Sequence, residues 1–276
     1  MAEISVIIPC HNQEKYIAET IESVVAQTFN DIEIIVVNDG SSDNSLEIIK
    51  DYAAKYPHKI RLINQQNQGV ISARNNAISQ AKGTYVFPLD GDDKIAPDCL
   101  EKLYHAMINH KGDVIYCIGK YFGNKNETIN ERAATKFNMC TRNRVHVSAL
   151  YRKEDWKKYG GYDQAMKDGL EDWEFWLNFV EDDKYFYKIN EPLFLYRNLD
   201  VSRNSGISKS TEQKLIKIIK NKHKKLFGWK FKLMFLLRKI TRFLYQKKIT
   251  KSGKLLIKIC KIPVYSKRTD KCKDTN

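Results

Sequence analysis

The sequence predicts an α/β protein: a mostly parallel, twisted sheet flanked by helices, followed by a basic, amphipathic, helical C-terminal tail. Three observations carry this prediction. Short β-branched runs alternate with helical periodicities through the first half. Two of those runs close in polar clusters, Asn38–Asp43 and Asp90–Asp93. The composition then changes sharply after Ser205.

In chain order, Ile4–Ile8 is a short apolar run ended by Pro9, the pattern of a buried strand. Ile17, Ile21, Val24 and Val25 recur at helical spacing. Ile32–Val37 reads as a second buried strand, and Leu46, Ile49 and Ala53 mark the helix after it. Ile60–Ile63 is a third strand, and 70–81 is helical, with Gly83 placed as a stop. Tyr85–Leu89 is a fourth strand, Pro97 opens a further helix, and Val114–Ile118 is a fifth strand. Between Gly123 and Arg144 polar residues dominate, the pattern of a loop or flap. Val145–Tyr151 reads as a strand, Glu171–Val180 as a helix, and Phe186–Ile189 and Pro192–Tyr196 as two short strands. Such alternation specifies a sheet covered on both faces, with ligands at the carboxyl ends of its strands. Both polar clusters fall at such ends.

Charge divides the chain. From Gly206 onward there are 22 Lys and Arg against 3 Asp and Glu, so in a chain of formal charge +14 residues 1–205 carry −5. We therefore expect an α/β body over 1–205, itself dividing at about residue 122, and a separate tail over 206–276. The 42% hydrophobic content excludes global disorder. No apolar run approaches the ~20 residues needed to span a bilayer, and the N-terminus lacks a signal-peptide pattern. Six scattered cysteines without a Cys-x-x-Cys pair are expected to be reduced thiols. In the tail, Leu226, Trp229, Leu233, Leu236, Leu237, Ile240, Phe243 and Leu244 share one side at helical period, and Leu255–Ile262 is a second segment interleaved with lysines. Basic amphipathic helices suit an anionic membrane surface; packing on the α/β body is the competing reading. No nucleic-acid-binding motif is present, so no nucleic-acid partner is expected.

Four clusters carry chemistry. Asp90-Gly91-Asp92-Asp93 crowds carboxylates that repel one another unless a cation screens them; a hard divalent ion, Mg²⁺ or Mn²⁺, fits. A solvated acidic turn is the competing reading. Asp39 can accept hydrogen bonds from a base edge or ribose, while Ser41, Ser42 or Asp43 caps the next helix. Asn67-Gln68-Gly69 precedes Arg74, which can reach a phosphate or fix a metal-binding carboxylate. Glu171-Asp172 opens a helix whose dipole favours ionised carboxylates, with Trp173 and Trp176 as candidates for a sugar-stacking wall.

In this order on one α/β chain, the motifs resemble family 2 glycosyltransferases with the GT-A fold, over roughly residues 3 to 200. Ser5–Asn12 is similar to that family's opening strand, Asp39 to its nucleoside-contacting aspartate, Asn67-x-Gly69 with Ala73-Arg74-Asn75 to its central helix motif, Asp90-x-Asp92 to its metal site, and Glu171-Asp172 to the motif whose Asp is the base. The resemblance implies substrate contacts from Pro9, Asn12, Asp39, Asn67, Arg74, Asp90, Glu171 and Trp173, metal binding by Asp92, and catalysis by Asp172. It implies an inverting transfer from a nucleotide-sugar donor, with uracil the favoured base, to a glycan or lipid-linked acceptor in surface-polysaccharide synthesis. The enzyme would then lie at the cytoplasmic face, peripheral on the membrane. A catalytically idle sugar-nucleotide-binding subunit is the alternative; it would need neither Asp172 nor the metal pair. Two departures stand out: His11 replaces a frequent aromatic, and Asn198-Leu199-Asp200 follow Tyr196-Arg197 where relatives often carry a His. A third protein contact to metal or diphosphate is therefore unassigned.

Overall fold

The computed structural model describes residues 2–129, 131–198 and 207–229, positions 231, 233 and 236, and the backbone of three strands between 245 and 265. The chain divides into two compact units, Met1–His223 and Lys224–Asn276.

The first unit begins with β1 (Ile4–Cys10), α1 (Ile17–Val25), β2 (Ile32–Asp39), α2 (Ser45–Lys55), β3 (Ile60–Gln65), α3 (Val70–Gln80) and β4 (Tyr85–Pro88). These are the expected strands and helices within a residue or two. β5 (Lys94–Ile95), α4 (Cys99–Ile108), β6 (Val114–Gly123), β7 (Thr128–Ile129), α5 (Lys136–Met139), β8 (Leu150–Arg152) and α6 (Lys153–Tyr159) follow. A 3₁₀ turn (Gln164–Met166) then leads to α7 (Glu171–Glu181), β9 (Phe186–Asn198) and α8 (Lys209–Lys222).

The main sheet runs β3-β2-β1-β4-β8-β6-β9-β5, with β7 on β6. β3, β2, β1 and β4 are mutually parallel. β8 enters antiparallel to both β4 and β6, β9 runs parallel to β6, and β5 pairs antiparallel with β9. Every residue of β1 is buried because both faces are covered. Ile4, Val6 and Ile8 share a core with Ile17 and Ile21 of α1, Ile49 of α2 and Leu103 of α4. α3 packs against β1 and β2 outside that core. The parallel strands thus deliver Cys10, Asp39, Gln65 and the turn after Pro88 to one edge of the sheet.

Three local expectations change. The strand placed at Val145–Tyr151 shrinks to β8, because Val145–Ala149 runs as a loop beneath α7, where the Val145 carbonyl accepts from Trp176 Nε1. The two strands around Pro192 are one, β9: its register against β6 slips between Cys117 and Gly119, and the bulge absorbs the proline's missing N–H. The flap after Gly123 holds β7 and a capped turn of helix, α5, whose Thr135 and Asn138 form a reciprocal cap.

α8 belongs to the first unit, since Leu215 and Ile219 are buried and Lys222 and His223 pair with Asp163 and Glu174. The division therefore falls later than the compositional boundary at 205/206. In the second unit β10 (Tyr245–Ile249), β11 (Leu255–Ile259) and β12 (Ile262–Tyr265) form an antiparallel sheet. This corrects the helical expectation for 255–262. The segment is short and rich in β-branched isoleucine, and a partner strand on each side satisfies its backbone. Most of the apolar stripe expected over 226–244 lies outside the described residues.

Candidate active site

A cleft of about 1070 Å³ opens along the carboxyl ends of the parallel strands and continues beneath the loop before α5 and the start of α7. Of the residues expected to carry chemistry, Pro9, Asp39, Asn67, Arg74, Asp90, Asp92, Glu171 and Asp172 all line it. Asn12 and Trp173 do not.

One end is organised by Asp39. It is the last residue of β2, paired in register with Gln65 of β3, and is buried. Its Oδ1 accepts from Gln65 Nε2 at 2.8 Å and from the Gln68 N–H at 2.9 Å; Oδ2 accepts from the Gly69 N–H at 2.9 Å. Three of the roughly four acceptor positions of a carboxylate are thus used, leaving one for a ligand. The same bonds fix the loop that carries Asn67 into the cleft. Gly40 makes this possible: its φ is +66°, and a Cβ there would meet the Asn67 nitrogen at 2.6 Å. His11 bridges the two loops. Its Nδ1 lies 2.9 Å from the Asp39 carbonyl, which can only accept, so Nδ1 carries the proton and Nε2 receives Asn67 Nδ2 at 3.2 Å.

Arg74 joins the two halves of the cleft. It sits one turn into α3, is 1% exposed, donates from Nη1 to Glu171 Oε1 at 2.9 Å and from Nη2 to Asp90 Oδ1 at 2.5 Å. The Tyr162 ring lies 5.7 Å from its guanidinium carbon. Burial by itself disfavours the cation, but Asp90 and Glu171 outweigh it and hold the guanidinium protonated. Of the two roles expected for Arg74, fixing a carboxylate is the one the geometry displays.

The acidic turn after β4 closes on itself, the Asp93 N–H donating to the Asp90 carbonyl at 3.0 Å. Gly91 is packed so closely that a Cβ would fall 2.9 Å from the Pro9 carbonyl. Burial, then the neighbouring Asp90 charge, push the Asp92 carboxyl up to about 6. Asp93 is buried and its carboxyl is likewise raised, by burial and then by Asp92 and Asp90. Arg197 supports this turn from β9: its N–H donates to Asp93 Oδ1 at 2.8 Å and its Nε to the Asp92 carbonyl at 2.7 Å. Its guanidinium is held between Phe122 at 4.4 Å and Tyr16 at 4.6 Å. A divalent ion fits these residues. Asp90 is tied to Arg74, while Asp92 offers hard oxygen donors in a cleft that raises the cost of its charge. Among the described residues no group of three or more His, Cys, Asp or Glu forms a complete ligand set. An ion held by Asp92 would therefore need its remaining ligands from substrate phosphates or water.

Across the cleft, α7 opens on Leu170, held in the left-handed region at φ +60°. Asp172 Oδ1 accepts from the Trp173 N–H at 2.7 Å and Oδ2 from Asn143 Nδ2 at 2.8 Å. Glu171 turns inward to Arg74 and is buried. The sugar-stacking wall is corrected. Trp173 is 5% exposed and donates to the Met139 carbonyl at 2.7 Å; Trp176 is fully buried among Tyr151, Phe175 and Phe179. Both rings face the core because α7 buries most of its circumference. Asn12, at φ +53°, accepts from the Ser42 N–H through its Oδ1 at 2.8 Å and so braces the β2–α2 turn, while its Nδ2 lies 3.4 Å from Nε2 of the cleft residue His11.

Sequence reasoning missed Asn143, Arg197 and His146 as cleft residues. Asn143 and His146 sit in irregular chain with no periodicity to mark them. Arg197 stood beside a recognised landmark, but only the fold turns it onto the acidic turn.

The family model for glycosyl transferase family 2 matches residues 5–174. Among curated relatives, an uncharacterised glycosyltransferase of Methanocaldococcus jannaschii, MJ1057, is 31% identical over 77% of this chain and 76% of its own length. GgaB of Bacillus subtilis, a minor teichoic acid biosynthesis protein, is 42% identical over 41% of this chain and 13% of its own length. The chain spans a third or less of the length of several other relatives that it matches in this half. In fold it is similar to S. aureus TarS in complex with UDP-GlcNAc, with a TM-score of 0.64 at 23% identity over 79% of this chain and 66% of that one. The first unit thus has the GT-A architecture.

Proposed function

Because the chain belongs to glycosyl transferase family 2, we propose that its cleft moves a sugar, with inversion, from a UDP-sugar to a hydroxyl of a glycan or lipid-linked acceptor in surface-polymer synthesis. What supports this reading is one relationship. Arg74 binds Asp90 of one half and Glu171 of the other, so the acidic turn and the start of α7 face a single cleft. The UDP-GlcNAc in the TarS complex supports a UDP-sugar donor, and the teichoic acid role in GgaB's name supports a surface-polymer setting.

In this reading Asp39, with Asn67 and Pro9 beside it, receives the nucleoside. Asp92 holds a divalent ion, Mg²⁺ or Mn²⁺, which when bound neutralises charge on the departing diphosphate. Asp90 is oriented by Arg74 toward the donor. Asp172, at the mouth of α7, accepts the proton of the acceptor hydroxyl as that oxygen attacks the anomeric carbon from the opposite face. Its hydrogen bond from Asn143 aims the carboxylate into the cleft. An inverting transfer needs one base and no covalent glycosyl-enzyme.

The second unit supplies the membrane contact. No helix among the described residues is long and apolar enough to cross a membrane. Trp229, Leu233 and Leu236 stand 69%, 47% and 53% exposed in a segment dense with lysine, which suits an anionic lipid surface on the cytoplasmic side.

The test is a panel of nucleotide sugars scored by thermal shift with Mn²⁺ or Mg²⁺, since a bound donor stabilises the fold by mass action. UDP release and the anomeric configuration of the product are then followed for any hit. Stabilisation by UDP-sugars is expected. Stabilisation by another nucleotide sugar alone would overturn the base assignment, and donor binding without turnover on glycan, lipid-linked or water acceptors would favour the idle subunit.

A further inference from the structure

The family match ends at residue 174, so α8 lies beyond it. Composition assigns α8 to the basic tail, yet it closes on the turn that presents Asp172 from both directions. Glu174 is in the first turn of α7, its N–H bonded to the Leu170 carbonyl at 3.0 Å, and is fully buried. Its Oε1 accepts from Lys222 Nζ at 2.8 Å and from His223 Nε2 at 3.0 Å. The other imidazole nitrogen of His223 lies 3.3 Å from Glu181 Oε1, at the far end of α7. Lys222 Nζ also binds Asp163 Oδ2 at 2.7 Å, and Asp163 Oδ1 caps the 3₁₀ turn that leads into Gly169. One ammonium therefore joins the chain before the Gly169–Leu170 turn to the chain after it. From the opposite end of α8, Ile207 presses on Gly169, where φ is +134° and a Cβ would fall 2.5 Å from Ile207 Cδ1.

Burying Glu174 and His223 together is a poor way to gain stability; what it secures is geometry. Leu170 occupies a left-handed conformation unusual for a branched side chain, and such a conformation persists only where its surroundings hold it. We propose that α8 is a positioning element of the catalytic site. Through Ile207, Lys222 and His223 it sets the Gly169–Glu174 segment and hence the aim of Asp172. The inference rests on the reading of Asp172 as the base.

The test uses the full chain with UDP-GlcNAc and Mn²⁺, water taking the sugar as acceptor, and compares wild type, His223→Ala, His223→Gln, Ile207→Ala and Asp172→Asn. UDP release reports turnover, calorimetric titration with UDP reports the donor site, and hydrogen exchange of peptides covering 163–174 reports the segment itself. His223→Ala and Ile207→Ala should raise exchange in 163–174 on the order of tenfold and lower UDP release by about 10- to 100-fold, with UDP affinity unchanged. His223→Gln keeps an N–H near the Nε2 position and should restore most of both. Wild-type exchange and turnover in His223→Ala and Ile207→Ala would overturn the proposal. So would losses spread evenly over the unit together with lost UDP affinity. If Asp172→Asn retains turnover, the base assignment fails instead, and the exchange pattern alone decides whether α8 holds the segment.

Discussion

Asn143 Nδ2 donates to Asp172 Oδ2 at 2.8 Å, joining the loop after α5 to the mouth of α7. The same asparagine accepts from the Val145 N–H through its Oδ1 at 3.2 Å, so its amide is fixed at both ends. Replacing Asn143 with Ala should leave UDP binding intact and reduce turnover about tenfold or more, because the carboxylate loses its aim. Steady-state kinetics beside UDP titration check this; an equal loss in both would place Asn143 in donor binding.

Asp172→Asn removes the proton acceptor while keeping the shape of the side chain. Donor binding should persist while transfer falls by roughly 10²-fold or more. Single-turnover kinetics separate the two, and near-normal transfer would take Asp172 out of the role.

Arg74 compensates two carboxylates where it has almost no contact with water. Arg74→Met would remove the cation that Asp90 and the buried Glu171 share, a loss on the order of 3–5 kcal/mol. The urea midpoint should fall accordingly. An unchanged midpoint would show that the pairing of Arg74 with these two carboxylates does not carry stability.

The acidic turn predicts an inverted pH response. The Asp92 carboxyl is raised to about 6 and Asp93 is raised as well, against a value near ~3.9 in the unfolded chain. Between those values the folded protein binds more protons than the unfolded one, so the contribution of this turn to stability grows as pH falls through 6 and is lost as pH rises through it. Carboxylates held low by their partners, such as Asp163 with Lys222, change stability only at more acidic pH. Metal-free wild type should therefore gain melting temperature relative to Asp92→Asn between pH 7 and pH 5. Mn²⁺ should stabilise wild type at pH 7 and lose that effect as Asp92 takes up its proton. Parallel melting curves for the two proteins would remove Asp92 as the source.

For the second unit, serine at Trp229, Leu233 and Leu236 together should weaken flotation with phosphatidylserine vesicles while leaving UDP binding unchanged. The residual binding should be abolished by high salt, since it is carried by lysine. Equal flotation of variant and wild type would defeat the membrane role of these side chains.

By itself the sequence determined the N-terminal half. β1 to β4 and the helices between them follow from β-branched runs and helical spacing, which are local signals. Asp39, Asp90 and Asp92 were legible because each lies at or just past the end of a strand, and strand ends gather at one edge of a parallel sheet. Only the tertiary structure decided the rest. Trp173 sits beside chemistry-bearing residues in the sequence, but helix rotation turned it into the core. Asn143 and Arg197 reach the site from irregular chain and from the far strand β9. α8 reads as tail by charge, yet Leu215, Ile219 and the buried Glu174–His223 pair make it part of the first unit. The physical reason is common to all of these: periodicity reports which side of an element is apolar, whereas a residue's partner is set by packing between elements distant in sequence.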